Sequence, residues 1–414
     1  MRVLFLAPYH LISDERVLRT LRASEAMGCS NFLAIDHSFF LEAKSSGFLE
    51  SVESSHMLGS TSLLPLPSVS PNKAVARLQR LLQIPTIVNQ ANLIMPDLVH
   101  VHESGMLGLL LSFWFKQSTC KPTVYFDYHD WIPFELSIFL RHNRLMYRLL
   151  LPLLNFCCRQ LIKPLDLVIT VSKGQAHWIH HNLRYNHTLV IPNVRPSLPK
   201  VSYDQSTFEP SVVFIGNVMR CRMLEFILEA IADPRLRSYA PKFHIFGVLS
   251  DPQYRDELQQ VADSLGVGKS IIFYGSYRSD ADIINQLQPG ALSYLFPLTF
   301  LPNPANVEAI SSSNKFFSYA TLGLPMLVHA SYLDMASTLK AYQAGHAFSS
   351  IDGFVLRCVE IWENPSLWFS LSSSASQIAA SMNNDVYEPV IQSLYSKRYS
   401  RSSAEIYATT SSAC

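Results

Sequence analysis

Along this chain, short runs of β-branched and aromatic residues alternate with longer stretches whose apolar positions recur at helical spacing. Over the first half the strand-like runs fall at 3–7, 31–35, 98–102, 123–127, 167–171 and 189–191. Helical patterning covers 15–27, 73–82, 107–115, 144–162 and 175–181 between them. Residues 196–210 carry Pro, Ser, Asp and Gln without a period and read as a linker. A second series follows, with strand-like runs at 212–215, 243–246, 271–274, 292–296, 326–328 and 347–349 and helical stretches at 223–232, 254–265, 281–287 and 316–322. From about Ser366 the pattern is helical, and after Lys397 it turns polar and serine-rich, which favours disorder. Such alternation predicts an α/β chain with two successive parallel, doubly wound sheets. Ligands of these sheets bind outside the carboxyl ends of the strands, so chemistry is sought there.

A length of 414 residues suits two domains, each with its own core. The net charge of +1, with basic residues scattered, argues against nucleic acid as a partner. A hydrophobic share of 48% against 16% charged residues fits buried parallel strands and leaves room for contact with a membrane surface. The first residues, Met1 to Pro8, read as a strand rather than a cleavable leader. No unbroken apolar run reaches the ~20 residues of a spanning helix. The stretch 145–162 is interrupted by Arg148, Pro152, Asn155 and Arg159. Seven cysteines without a C-x-x-C pair predict thiols in a reducing compartment, the cytoplasm. Where a dinucleotide fingerprint would need glycines, Pro8-Tyr9-His10 stand instead, which counts against a nicotinamide or flavin enzyme.

The most informative stretch runs from Asn314 to Pro325. Ser311, Ser312 and Ser313 offer N-caps, while Gly323 and Pro325 stop the helix two turns later. Lys315 then falls in the first turn, where the helix dipole disfavours a cation by ~0.3–1 kcal/mol. That placement makes sense if an anion binds there; the plainer reading is a solvated lysine. In Val213 to Arg222, a strand ends in Gly216, which lets the backbone approach a ligand. Arg220 or Arg222 then offsets its charge, unless both are merely solvated. Gly247 and Gly275 end two further strand-like runs, where Tyr274 and Tyr277 could pack a base or belong to the core. The segment 298–312, with Pro302 and Pro304, is long for a compact domain and reads as a site rim. Asp280 and Asp282 stand at a helix start, where N-capping explains them better than metal binding.

In the first half, Tyr125 to Glu135 runs off a strand into a polar turn. His129 and Asp130 stand where a catalytic loop would begin, with Glu135 a few residues on; the alternative is a histidine that closes a strand–loop junction. Asp14 is either a ligand or an N-cap, and Arg16 could grip a phosphate or carboxylate bidentately. His100 and His102 share one strand face, a spacing that could bind zinc with His129 or Asp127, though buried strand histidines are common.

In order, these segments resemble the motifs of family 4 glycosyltransferases of the GT-B type. Ser13-Asp-Glu-Arg-Val is similar to D-x-R-V, and Pro96 to His102 to P-D-x-x-H-x-H. The His129-Asp130 pair resembles D-x-H-E/D, and Asn314 to Pro325 resembles P-N-K-x-x-E-Y-x-A-x-G-x-P. The resemblance implies two Rossmann-like domains facing a central cleft. An acceptor domain would span 1–198 and a nucleotide-sugar domain 199–370. Helices at 371–400, the last packing on the first domain, would precede a disordered tail at 401–414. It implies transfer of a sugar from a nucleoside-diphosphate sugar to a glycan, lipid-linked or small-molecule acceptor, with retention and without cofactor or metal. His129 and Asp130 would be catalytic; Gly216, Arg220, Arg222, Asn314, Lys315 and Ser318 would bind donor; Asp14, Arg16 and Glu135 would bind acceptor. Ser318 replaces the family's glutamate, which accepts from ribose hydroxyls. That departure raises the alternative of a catalytically silent binding protein, and the histidines raise that of a metal-dependent hydrolase. Peripheral contact with the inner face of a membrane is a further expectation, centred on 145–162 with Arg144, Arg148, Arg159 and Lys163.

Overall fold

Each predicted strand takes its place in one of two parallel sheets in a computed structural model of the chain. The structure describes residues 1–8, 14–36, 61–70, 73–102, 105–129, 132–140, 143–198, 201–204, 207–249, 251–277, 280–296 and 312–396. The first sheet holds β1 (Arg2–Leu6), β2 (Ser30–Asp36), β3 (Ser62–Leu66), β4 (Leu98–Val101), β5 (Thr123–Tyr128), β6 (Leu167–Thr170) and β7 (Thr188–Val190), in the order β3-β2-β1-β4-β5-β6-β7. The second holds β8 (Ser211–Ile215), β9 (Lys242–Phe246), β10 (Ile271–Gly275), β11 (Ala291–Leu295), β12 (Met326–His329) and β13 (Gly345–Phe348), in the order β10-β9-β8-β11-β12-β13. Strand order reverses at β1/β4 and at β8/β11. A doubly wound sheet opens a ligand crevice at such a point.

Helices cover both faces, so the strands are apolar on both sides. All of β8 is buried, as are Val3, Leu4, Phe5 and Leu6 of β1. Contacts divide the chain into Met1–Pro192 with the segment from Asp385 onward, and Asn193–Asn384. Thus the expected linker at 196–210 begins inside the second unit, where Arg195 bridges to Asn383. The helix Asn384–Ser396 places Ile391, Leu394 and Tyr395 in the core beside Phe5 and Tyr125. Tyr125 Oη donates to the Leu394 carbonyl at 3.1 Å. In the second unit, Trp362 and Trp368 donate their indole N–H groups to the carbonyls of Gly290 and Ala291 at 2.8 and 2.9 Å. A buried indole keeps its polar atom satisfied in this way.

Several elements depart from the sequence expectation. Pro65 masked β3, an edge strand where a missing N–H is tolerated. Helix Lys73–Ile94 runs on past residue 82 and through Pro85. Where a catalytic loop was expected after β5, Ile132–Phe139 is helical, and Pro133 lies in its first turn, where no intrahelical N–H bond is lost. Helices Leu333–Tyr342 and Ile351–Trp362 were not foreseen. The latter starts at Ser350, whose hydroxyl accepts from Gly353 N–H at 3.1 Å.

Candidate active site

The crevice end of the second sheet is built from glycines. Gly216 follows β8 with φ +131°, and Gly247 follows β9 with φ +146°, conformations that exclude ordinary side chains. Gly216 N–H donates to Phe246 O at 2.9 Å, and Gly247 N–H to Gly275 O at 2.7 Å. A Cβ on Gly247 would stand 1.9 Å from Gly216 O, so this close backbone approach requires glycine. A Cβ on Gly216 would stand 2.7 Å from Lys315 Cε.

Lys315 reaches that spot because helix Asn314–Thr321 begins beside it. Ser313 caps the helix, its hydroxyl accepting from Lys315 N–H at 3.3 Å. Gly323, at φ +64°, ends it, with Leu324 N–H donating to Tyr319 O at 3.0 Å. Phe316, Phe317, Tyr319 and Ala320 anchor the buried face, and Tyr319 Oη accepts from Ile215 N–H at 3.2 Å. Lys315 Nζ lies 5.6 Å from the Phe214 ring centroid, a cation–π separation. Asn314 is exposed at the helix start.

Ser318, one turn on from Lys315, is fully buried. Its hydroxyl accepts from Arg195 Nε at 3.0 Å and hydrogen-bonds the Asp280 carboxyl. Arg195 Nε and Asp280 Oδ2 lie 3.6 Å apart. Burial raises the Asp280 pKa, against the opposing pull of Arg195 and Ser318. This corrects the capping expectation: Asp280 makes no side-chain cap and turns toward Ser318 instead. A carboxyl therefore stands in the cluster although position 318 carries none.

The two arginines part company. Arg220 is exposed, and its guanidinium pairs with Asp251 and with Glu257. Its charge is thereby spent on the surface. Arg222 is half-buried, its Nε enclosed without a hydrogen-bond partner. Burial lifts the pKa of Tyr294 and Tyr319, and the charge of Arg222 opposes the rise. Arg222 is thus the inward-facing member. Tyr274 stacks on Phe246 at 4.2 Å and bonds His244 Nδ1 at 2.9 Å, so its ring belongs to the sheet end. The expected rim at 298–312 lies outside the described residues except for Ser312, whose carbonyl accepts from Asn193 Nδ2 at 3.1 Å.

Replacing Gly216 by Ala should lower activity and stability together. The backbone at φ +131° strains any side chain by ~1–3 kcal/mol, and the new methyl would push Lys315 aside. Comparing melting temperature and turnover with the parent checks this; an unchanged pair of values would contradict the packing described.

In the first unit, the carboxyl end of β5 carries a chain of polar groups. His129 Nδ1 lies 3.2 Å from Asp127 O and 3.5 Å from Asp127 Oδ1. Two acceptors on that side place a proton on Nδ1. The His129 carbonyl accepts from Gln175 Nε2 at 3.3 Å, and Gln175 itself starts the helix after β6. Asp127 Oδ2 meets His102 Nδ1 at 3.2 Å, and His102 Nε2 meets Thr20 Oγ1 at 3.0 Å. Burial works against the Asp127 carboxylate. Hydrogen bonds from His102 and His129 and the charge of Arg16 nonetheless hold its pKa well below the ordinary range. His100 stacks on His102 with ring centroids 4.1 Å apart and bonds Tyr395 Oη through Nδ1 at 2.8 Å. The ligand atoms of His100, His102 and Asp127 lie within 4.8 Å of one another. Both His102 nitrogens have protein partners, however, so this set reads as a hydrogen-bonded relay behind His129.

Asp14 caps helix Glu15–Ala26, accepting from Arg16 N–H at 2.9 Å, and lies 3.5 Å from Arg16 Nη2. Asp14 and Arg16 therefore stand together, with the charge of Arg16 felt at Asp127. Glu135 sits in the first turn of its helix, its carboxylate against Gly105, where a Cβ would lie 2.0 Å from Oε2. It faces the start of helix Gly105–Gln117, where the dipole favours an anion. Asp130 lies outside the described residues. Sequence reasoning missed Arg195, Thr20 and Gln175; Arg195 sits among prolines with no periodic signal.

Burial holds His100 well below its ordinary 6.5, helped by neighbouring His102 and Arg19, and brings His244, beside Lys242, down to about 4. Below pH 6.5 the unfolded chain protonates both rings while the folded chain keeps them neutral. Stability should therefore fall on acidification, by ~1.4 kcal/mol per pH unit for each ring that stays neutral. Asp127 adds a loss of the same sign below its ordinary 3.8, as pH descends through its lowered folded value. Melting curves taken from about pH 7 to about pH 5 should show a steady decline. A flat profile would contradict the buried neutral histidines.

Residues 48–194 match the profile of Glycosyltransferase Family 4. No curated protein sequence matches the chain. Among solved structures, a glycosyltransferase from Rickettsia africae ESF-5 is similar at a TM-score of 0.66 and 12% identity, over 96% of this chain and 98% of that one. Anabaena HepE in complex with UDP and glucose is similar at 0.67 and 13%, over 96% and 100%. TarM of S. aureus, in complex with Fondaparinux, alpha-GlcNAc-glycerol and UDP, gives 0.63 and 7%, over 96% and 99%. The fold is GT-B, and the stretch 48–194 is similar to family 4 glycosyltransferases.

Proposed function

We propose that the chain transfers a sugar from a nucleoside-diphosphate sugar to a glycan or lipid-linked acceptor, without a metal and with retention of configuration. The observation that carries this reading is Lys315 laid across Gly216 at the glycine-rich end of the second sheet. A first-turn lysine and the amides of a helix start form a preorganised field for a departing diphosphate. Arg222 and the Arg195–Ser318–Asp280 cluster flank the same helix. Support for the donor class comes from HepE and TarM, whose structures hold UDP. His129 would orient a hydroxyl of the sugar or acceptor. Arg16 and Asp14 would help to hold the acceptor. Cys29, Cys120, Cys157, Cys158 and Cys358 are free thiols, which suits a reducing cytoplasm.

Metal independence is supported by the protein partners of His102 and Asp127. Treatment with a chelator should leave turnover and melting temperature unchanged, and purified protein should hold no stoichiometric zinc. Zinc at one equivalent, lost together with activity, would favour the hydrolase reading instead. The donor is found by thermal-shift screening against uridine, guanosine and adenosine diphosphate sugars. A ligand that binds only the folded state raises its stability by ~2.7 kcal/mol at a hundred times its dissociation constant. Stabilisation by one of the three would support the proposal, and stabilisation by none would count against it. Binding without release of nucleoside diphosphate would favour the silent binding protein, which the missing glutamate at position 318 keeps in view.

A further inference from the structure

Helix Arg144–Ile162 is apolar on the side it turns away from its own unit. Asn143 starts it, accepting from Met146 N–H at 3.1 Å. Tyr147, Cys158 and Ile162 are buried, and the helix packs on Gly105–Gln117. Its other face carries Leu145, Leu149, Leu153 and Phe156, with 69%, 64%, 60% and 56% of their surface exposed. Steps of four, four and three residues line them up along one stripe, roughly 17 Å long at 1.5 Å per residue. Soluble surfaces seldom leave so continuous a strip uncovered.

The charge around the stripe is one-sided. No carboxylate occurs between Glu135 and Asp166, while Arg141, Arg144, Arg148, Arg159 and Lys163 all do. Arg144 and Arg148 are exposed, and among the described residues they make no hydrogen bond or ion pair. We propose that this face is an interfacial anchor for an anionic phospholipid bilayer. The helix lies in the plane of the surface, its four apolar side chains among the acyl chains and Arg144 and Arg148 at the phosphates. A second copy presenting the same helix would meet the stripe with the same cations and no acid of that helix to balance them. A bilayer with anionic headgroups supplies both the apolar and the negative partner. The helix is long and apolar enough to cross a membrane, yet crossing would strip Tyr147, Cys158 and Ile162 from the core. It lies on the surface and does not span it. The inference holds whether or not the donor site acts as proposed.

Cosedimentation of the full chain with vesicles tests it. Binding is expected to phosphatidylcholine mixed with phosphatidylglycerol, not to phosphatidylcholine alone, and should weaken as salt is raised. Leu149→Gln with Leu153→Gln should lose binding by about tenfold or more. Arg144→Gln with Arg148→Gln should weaken it by roughly fivefold per charge. All four positions are exposed, so melting temperatures should match the parent. Failure of the parent to bind anionic vesicles would overturn the proposal, as would binding that survives the leucine pair. Dimerisation abolished by the leucine pair, with no vesicle binding, would overturn it in favour of a second copy.

Discussion

Lys315→Ala should lower sugar transfer on the order of 10²-fold while the protein stays folded, the size of effect seen when one preorganised donor to a developing anion is lost. Two features set this expectation. The amine lies beside the glycine-formed end of β8, where a ligand's phosphate can approach backbone amides. It also sits in the first turn of a helix that is fastened by Ser313 at one end and Gly323 at the other. Its removal deletes a charge at that point, beside the Phe214 ring. Arg220→Ala serves as the control. Its charge is already neutralised by Asp251 and Glu257, so transfer should stay near normal. The pair is compared by turnover at saturating donor. Near-normal turnover in Lys315→Ala would remove that lysine from the mechanism.

His129→Ala should cost about 10²–10⁴-fold in turnover, the range for a positioned acid–base or hydroxyl-orienting group. Asp127→Asn is the more discriminating variant, because Asp127 acts through the histidine. Loss of the carboxylate removes the charged partner of both His129 and His102, freeing the ring to tilt or change tautomer. Misplacing a reacting group by an ångström costs on the order of 10²-fold. The expected signature is a lower kcat with KM little changed and a displaced pH–rate profile. A purely structural role for Asp127 would instead lower the melting temperature and leave the pH profile of the folded fraction in place.

The architecture was legible because parallel strands buried on both faces write continuous apolar runs. All of β8 and the middle of β1 are of that kind. β3 was not legible, since Pro65 reads as a strand breaker and only its edge position makes it tolerable. The helix through Pro85 was cut short for the same reason. At the crevice end of the second sheet, Gly216 and Lys315 could be read from position relative to a strand end and a helix start. The choice between Arg220 and Arg222 could not, because it depends on Asp251 and Glu257, some thirty residues away in sequence. Asp280 was misread as a cap, since its partners Ser318 and Arg195 come from distant segments. That the Glu135 carboxylate stands against Gly105 could not be read from the sequence either.

Calorimetric titration with uridine, guanosine and adenosine diphosphate sugars, run on the parent, Lys315→Ala and Arg220→Ala, addresses the diphosphate site directly. At least one donor should bind the parent, bind Lys315→Ala about 10- to 100-fold more weakly, as expected for a lost charged hydrogen bond, and bind Arg220→Ala unchanged. Equal affinity for the parent and Lys315→Ala, or no heat from any of the three donors with a folded protein, would contradict the account.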